Sequence, residues 1–211
     1  LGYSSTTACE GGLKCPWGNA WFCNVGGGGS GSNPDYSNCK IGDILYSDMS
    51  CNANMIASKT PIGVVFDTTN GLAIAKDEFA NMPWGAVVED VSGVQNSSSV
   101  STSTADWQGF KNTKAMYEAD KSGANYPAIK KVLTYSTTGT EQGQWYLPAA
   151  GELQAISTNK DTLNTTLAKI GGTQMSGNYW SSSEQNSGSS YYIGIGNNSS
   201  TIGRKVAKNK A

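Results

Sequence analysis

The chain has 211 residues, enough for one good-sized domain or for one domain with an elaborated N-terminal part. Only 15% of it is charged and the net charge is −1, so it lacks the electrostatic footprint of a protein that binds nucleic acid or anionic membrane. It contains no histidine, which excludes Ser-His and Cys-His catalytic arrangements and every imidazole metal site.

The first 38 residues are loop-like and hold three of the five cysteines, Cys9, Cys15 and Cys23, with Cys39 and Cys51 following. There is no C-x-x-C, which argues against a zinc ribbon or a thioredoxin-like site and for disulfides formed in an oxidising compartment. Five cysteines leave one over and allow about 15 connectivities. The favoured bridges are Cys39–Cys51, which flank a strand-like stretch, and one among Cys9, Cys15 and Cys23. The odd thiol then finds its partner outside the chain. The run GGGGSGS over 26–32 reads as a linker and lacks the Gly-Lys-Ser/Thr ending of a phosphate loop, so no nucleotide is expected. The opening at Leu1 suggests that an upstream segment has been removed, and no apolar run approaches the ~20 residues that span a bilayer.

From Cys39 onward the pattern becomes globular, which sets domains at 1–38 and 39–211. Residues 41–47 and 59–67 read as strands, with the Asn70-Gly71 turn and 72–75 returning as a hairpin partner. Another strand is expected over 84–90 and a polar serine-rich loop over 95–104. A helix is expected from Asp106, with Trp107, Phe110, Lys114 and Tyr117 on one face, and a weaker helical piece over 128–133. Trp145 to Pro148 read as a short apolar strand, with Pro148 suited to the first helical position and Leu153 and Ile156 giving the following helix its apolar face. Leu163, Leu167 and Ile170 mark a further helix that stops at Gly171-Gly172. The stretch Asn178-Tyr179-Trp180-Ser181-Ser182-Ser183-Glu184 reads as a strand. The sum is an α+β architecture, a twisted and mostly antiparallel sheet with two or three helices.

Two motifs, Trp145-Tyr146-Leu147-Pro148 running on to Glu152-Leu153, and Tyr179-Trp180-Ser181-Ser182-Ser183-Glu184, resemble those of the C-type-lectin-like domains of bacterial surface proteins. That group includes the C-terminal domains of Legionella collagen-like proteins and the variable proteins of diversity-generating retroelements. The resemblance implies a C-type-lectin-like fold and a secreted or surface-displayed, non-enzymatic ligand-binding protein, a receptor or adhesin. The alternative is a structural subunit or tip of a surface assembly such as a pilus, with self-association. The expected location is extracellular or on the bacterial cell surface, and the expected partner is a protein or glycan on another cell or surface.

Over 176–204, Ser, Gly, Asn and Tyr supply 21 of 29 residues, the palette of antibody-like paratopes. Period-two alternation places Ile193 and Ile195 inward and Tyr192, Gly194 and Gly196 outward. In the variable proteins the region after the Tyr-Trp strand is the diversified, ligand-contacting face. That likeness nominates Gln185, Asn186, Gly188, Ser189, Tyr192, Gly194, Gly196, Asn197 and Asn198, with Tyr179 at the rim and Trp180, Ser181 and Ser182 as scaffold, Trp180 filling the core. Members of the group close with a further strand that this chain lacks in its usual form, so Arg204 to Ala207 take its place or the native chain continues. Calcium-dependent sugar binding is disfavoured, because Glu-Pro-Asn, Gln-Pro-Asp and Trp-Asn-Asp are all absent; no metal and no cofactor are expected. The adjacent carboxylates Asp77-Glu78 and Glu89-Asp90 are expected to face solvent. Formylglycine-generating enzymes share the general fold, but their chemistry needs cysteines late in the chain, whereas here none follows Cys51.

Overall fold

A computed structural model of the chain describes residues 38–79, 82–86 and 89–195, together with the backbone of 202–205. Two antiparallel sheets and five helices form an α+β fold. The strands are β1 (Ile44–Tyr46), β2 (Cys51–Asn52), β3 (Pro61–Asp67), β4 (Leu72–Ala75), β5 (Gly177–Asn186), β6 (Ser189–Ile195) and β7 (Ile202–Lys205). The helices are α1 (Val100–Ser103), α2 (Gly109–Ala119), α3 (Pro127–Thr134), α4 (Ala150–Thr158) and α5 (Lys160–Lys169). One sheet runs β2-β1-β3-β4 and the other β5-β6-β7.

The β3–β4 hairpin forms where Asn-Gly predicts it, pairing Val64 with Ile74 and Val65 with Ala73. Asp67 secures the turn by accepting from the Thr69 amide at 2.8 Å and from Asn70 Nδ2 at 2.6 Å, and Gly71 adopts a φ of 65°. Cys39 and Cys51 are disulfide-bonded, with Cα atoms 5.7 Å apart, tying β2 to the segment before β1. Cys9, Cys15 and Cys23 lie outside the described residues.

α5 buries Leu163 and Leu167 beside Ile170 in the larger core, with Ile44, Val64 and Phe66 from the first sheet and Tyr191, Ile193 and Ile195 from the second. Its stop is Gly171, at φ 67°, followed by a Gly172 amide that donates back to Leu167 O at 2.8 Å. A second cluster gathers Trp84, Val91, Met116, Tyr126, Ile129 and Leu133 around α2 and α3.

Several local expectations are corrected. There are five helices among the described residues, and α1 sits inside the serine-rich 95–104 stretch, nucleated by reciprocal Ser99 and Thr102 capping bonds. Residues 84–86 and 89–90 are not strand; Trp84 is instead anchored by its indole, which donates to Ser181 O at 2.7 Å. Trp107 precedes α2 and is 42% exposed, and the face that α2 buries is Gly109, Asn112, Thr113 and Met116. Trp145 to Pro148 form no strand, and α4 begins at Ala150, so Pro148 lies before the helix rather than at its first position. Ile202 to Lys205 pair with β6 and supply a closing strand, which covers part of the expected 204–207 segment; 206–207 lie outside the described residues.

Candidate functional site

The two motifs that carry the family resemblance meet in space. Ser182 donates its amide to Pro148 O at 2.8 Å, and the Ala150 amide donates to Ser183 Oγ at 2.9 Å. Ser181, Ser182, Ser183 and Glu184 all have 0% exposure, an unusual state for four consecutive polar residues in a strand. Regular β5–β6 pairing breaks between Trp180 and Glu184, and partners from elsewhere in the chain take over. Ser181 Oγ donates to Tyr191 O at 3.0 Å, Ser183 Oγ to Asp106 Oδ2 at 2.6 Å, and Asn112 Nδ2 to the same carboxylate oxygen at 2.8 Å. Glu184 accepts from the Val91 amide at 3.1 Å through its carboxylate and from the Ser97 amide at 3.0 Å through its carbonyl.

Glu152 completes this polar junction. It is 2% exposed, and it accepts from the amides of Ala149 at 2.9 Å and Gly109 at 3.3 Å. Burial raises its pKa to about 7 against those bonds, with the neighbouring Asp106 charge adding to the rise. The same burial holds the Tyr146 hydroxyl far above its ordinary range. Two glycines let the backbones close around this carboxyl: a Cβ on Gly109 would come within 2.3 Å of Glu152 Oε2, and one on Gly151 within 2.5 Å of Thr104 O. The junction is structural: its groups face one another, not solvent.

The nominated contact residues lie beyond it on the β5–β6 hairpin, and the structure divides them. Asn186 is exposed at the tip, where its Oδ1 receives the Gly188 amide at 2.9 Å; Gln185, Gly188 and Ser189 are half-buried around it. Pairing of Trp180 with Tyr192 and of Asn178 with Gly194 sets those four on one face of the sheet. Tyr192 and Gly194 are half-buried rather than exposed, and the Tyr192 ring meets Trp180 edge to face at 6.4 Å. Trp180 is likewise only half-buried: it packs against the second cluster and donates to Met82 O at 3.2 Å, so it lines the core without filling it. Tyr179 pairs with Ile193 and therefore points to the opposite face, so it does not join Tyr192 in one patch. Gly196, Asn197 and Asn198 lie outside the described residues. Ser181 and Ser182 are scaffold, and Tyr191, Ile193 and Ile195 are core, as the alternation predicts.

Tyr179 instead borders a cavity of about 210 Å³ between the outer strands of the two sheets. β4 contributes Ala73 and Ala75 to one side and β5 contributes Tyr179 and Trp180 to the other. Phe79, Tyr135 and Trp145 form an aromatic wall, Phe79 to Tyr135 at 5.2 Å and Tyr135 to Trp145 at 5.6 Å, both edge to face. The Tyr135 hydroxyl donates to Asp77 Oδ2 at 2.7 Å, and burial with that carboxylate raises its pKa. Tyr179 is raised to about 12, chiefly by burial. Asp77 and Glu78 face solvent at the mouth, as the sequence suggests, and so do Glu89 and Asp90. The wall was missed in the sequence because its rings come from three separate segments and share no period.

Among the described residues no group of three or more His, Cys, Asp and Glu side chains could hold a metal ion, and no helix is long and apolar enough to cross a membrane. No protein-family model matches the chain, and no curated protein matches it. Among solved structures it is similar to a fimbrial protein from Bacteroides ovatus, at a TM-score of 0.63 and 19% identity over 82% of this chain. The match takes in 47% of that protein, so the chain spans about half its length. At that identity the likeness is one of fold.

Proposed function

We propose that the chain is a structural subunit of a bacterial surface fibre or comparable assembly and associates with itself or with sister subunits. The observation that carries this reading is the fold shared with a fimbrial protein over four-fifths of the chain. A disulfide fits a protein that matures outside the cytoplasm. The proposal gives the chain no catalytic role. Sedimentation of the purified chain over a wide concentration range tests it: reversible, concentration-dependent growth is expected, and a strict monomer at every concentration would overturn it.

The second reading is a receptor or adhesin with a C-type-lectin-like domain and a face that diversification varies. It is favoured by the direct packing of the 145–153 and 179–184 motifs on each other, and by the polar hairpin tip at Asn186. Under it, the ligand contacts are Gln185, Asn186, Gly188, Ser189 and Tyr192. Sequencing the encoding gene across a population of the source organism should show substitutions concentrated in codons 176–204. A uniform low level of change would leave the assembly reading alone.

A further inference from the structure

The groove between β4 and β5 is mostly apolar, with Ile74, Leu153 and Ile156 in its lining, and it carries several aromatic rings and two acids. Phe79, Tyr135, Trp145, Tyr179 and Trp180 all line it and are half-buried. Among the described residues its charged lining residues are Asp77 and Glu78, and no described lysine or arginine lines it. Aromatic faces carry negative electrostatic potential, and two carboxylates at the mouth add to it, so the site discriminates by charge and not by greasiness alone. The fold already satisfies this chemistry once, with Lys131 Nζ 4.7 Å from the centroid of the Phe79 ring. Beside that ammonium, six further aromatic residues line the cavity, together with two carboxylates that each already accept from a groove tyrosine, Asp77 from Tyr135 and Glu78 from Tyr179.

Size narrows the occupant. A cavity of about 210 Å³ accepts one long side chain and is smaller than the sites that enclose whole cofactors. The planar guanidinium of arginine stacks on aromatic rings while its N–H groups reach carboxylates, which matches a ring wall with acids at its mouth. We propose that this groove is an acceptor site for an arginine side chain carried by a partner polypeptide. The idea rests on reading the chain as a subunit that meets other polypeptides, and it names the chemistry of one contact.

The test uses the full chain and follows the fluorescence of its tryptophans, two of which line the groove. The probes are a short Gly/Ser peptide with one central arginine, twins carrying lysine or norleucine there, and maltotetraose as a neutral sugar. The arginine peptide is expected to bind about tenfold more tightly than the norleucine twin, and to weaken as salt rises. Asp77→Asn combined with Glu78→Gln should cost about tenfold in that affinity while leaving the melting temperature in place, because the amide at position 77 still accepts from Tyr135. Equal binding of the norleucine twin, binding of the sugar alone, no binding of any probe, or an unaffected double variant would each overturn the proposal. Sedimentation without probe separates the two ideas. A self-associating chain that ignores the arginine peptide sinks only the groove, and a monomer that binds it sinks only the assembly.

Discussion

Two serine-rich stretches of the same hairpin have opposite fates. Ser181, Ser182 and Ser183 are completely buried, whereas Ser187, Gly188 and Ser189, a few residues on, sit partly open around the exposed Asn186. Composition does not separate them. What separates them is where their polar atoms find partners: the first group bonds to Pro148, Ala150, Asp106, Asn112 and Tyr191, while the tip bonds mainly within itself. Burial of a hydroxyl without a partner costs about 1–3 kcal/mol, so the inner serines are held in place by groups brought from distant segments.

The largest break in this contrast should come from Trp84. It is 1% exposed, and its indole donates to Ser181 O, so Trp84→Ala removes a core ring and leaves a buried carbonyl short of a donor. A loss of about 3–5 kcal/mol is expected in urea unfolding. A loss below about 1 kcal/mol would mean that β5 is not braced from that side.

Ser183→Ala and Ser189→Ala test the contrast directly. The first strips a partner from both the Ala150 amide and Asp106, and should cost about 1–3 kcal/mol. The second should stay within about 0.5 kcal/mol of wild type, as surface substitutions do. Equal effects would show that the two stretches are energetically alike in spite of their different burial.

Glu152 gives the buried side a pH signature. Its folded pKa, about 7, stands above the ordinary value of 4.5, so ionising it is harder in the folded chain than in the unfolded one. Its contribution is therefore fully present below pH 4.5 and is lost as pH rises through about 7, the reverse of a salt-bridged carboxylate. Urea midpoints of wild type should fall between pH 5 and pH 8 more than those of Glu152→Gln. Parallel profiles would move the titrating group elsewhere.

How far the sequence discloses this molecule depends on whether the deciding contact is local. The β3–β4 hairpin announces itself through Asn70-Gly71, and α5 through Leu163, Leu167 and Ile170, because turn chemistry and helical spacing are short-range signals. Trp145 to Pro148 look like a strand for the same reason and are not one. Their backbone is satisfied by Thr113 Oγ1, which accepts the Leu147 amide at 3.0 Å, and by Ser182, whose amide donates to Pro148 O. Such substitutes for a ladder come from 34 residues away in each direction or from another sheet, and no local pattern encodes them. The candidate face was legible as a strand followed by a stretch with alternating inward isoleucines, but not as a hairpin. The groove was not, since Phe79, Tyr135, Trp145 and Tyr179 become neighbours only when both sheets are assembled.

The smallest effect separates Tyr192 from the scaffold beneath it. Its half-buried ring meets Trp180 edge to face and pairs across the strands with it, so Tyr192→Ala should cost only about 1 kcal/mol of stability, the worth of one aromatic pair with some lost area. Trp180→Ala should cost more, because that indole also packs on the second core cluster and donates to Met82 O. If Tyr192 is a contact residue, its loss will weaken self-association or ligand capture well beyond what 1 kcal/mol of folding stability explains, since the folded population hardly changes. If association survives Tyr192→Ala intact, the sheet face around Trp180 is scaffold. Contact would then fall to the tip at Asn186, the one exposed position among the described residues 185–189 of the hairpin tip.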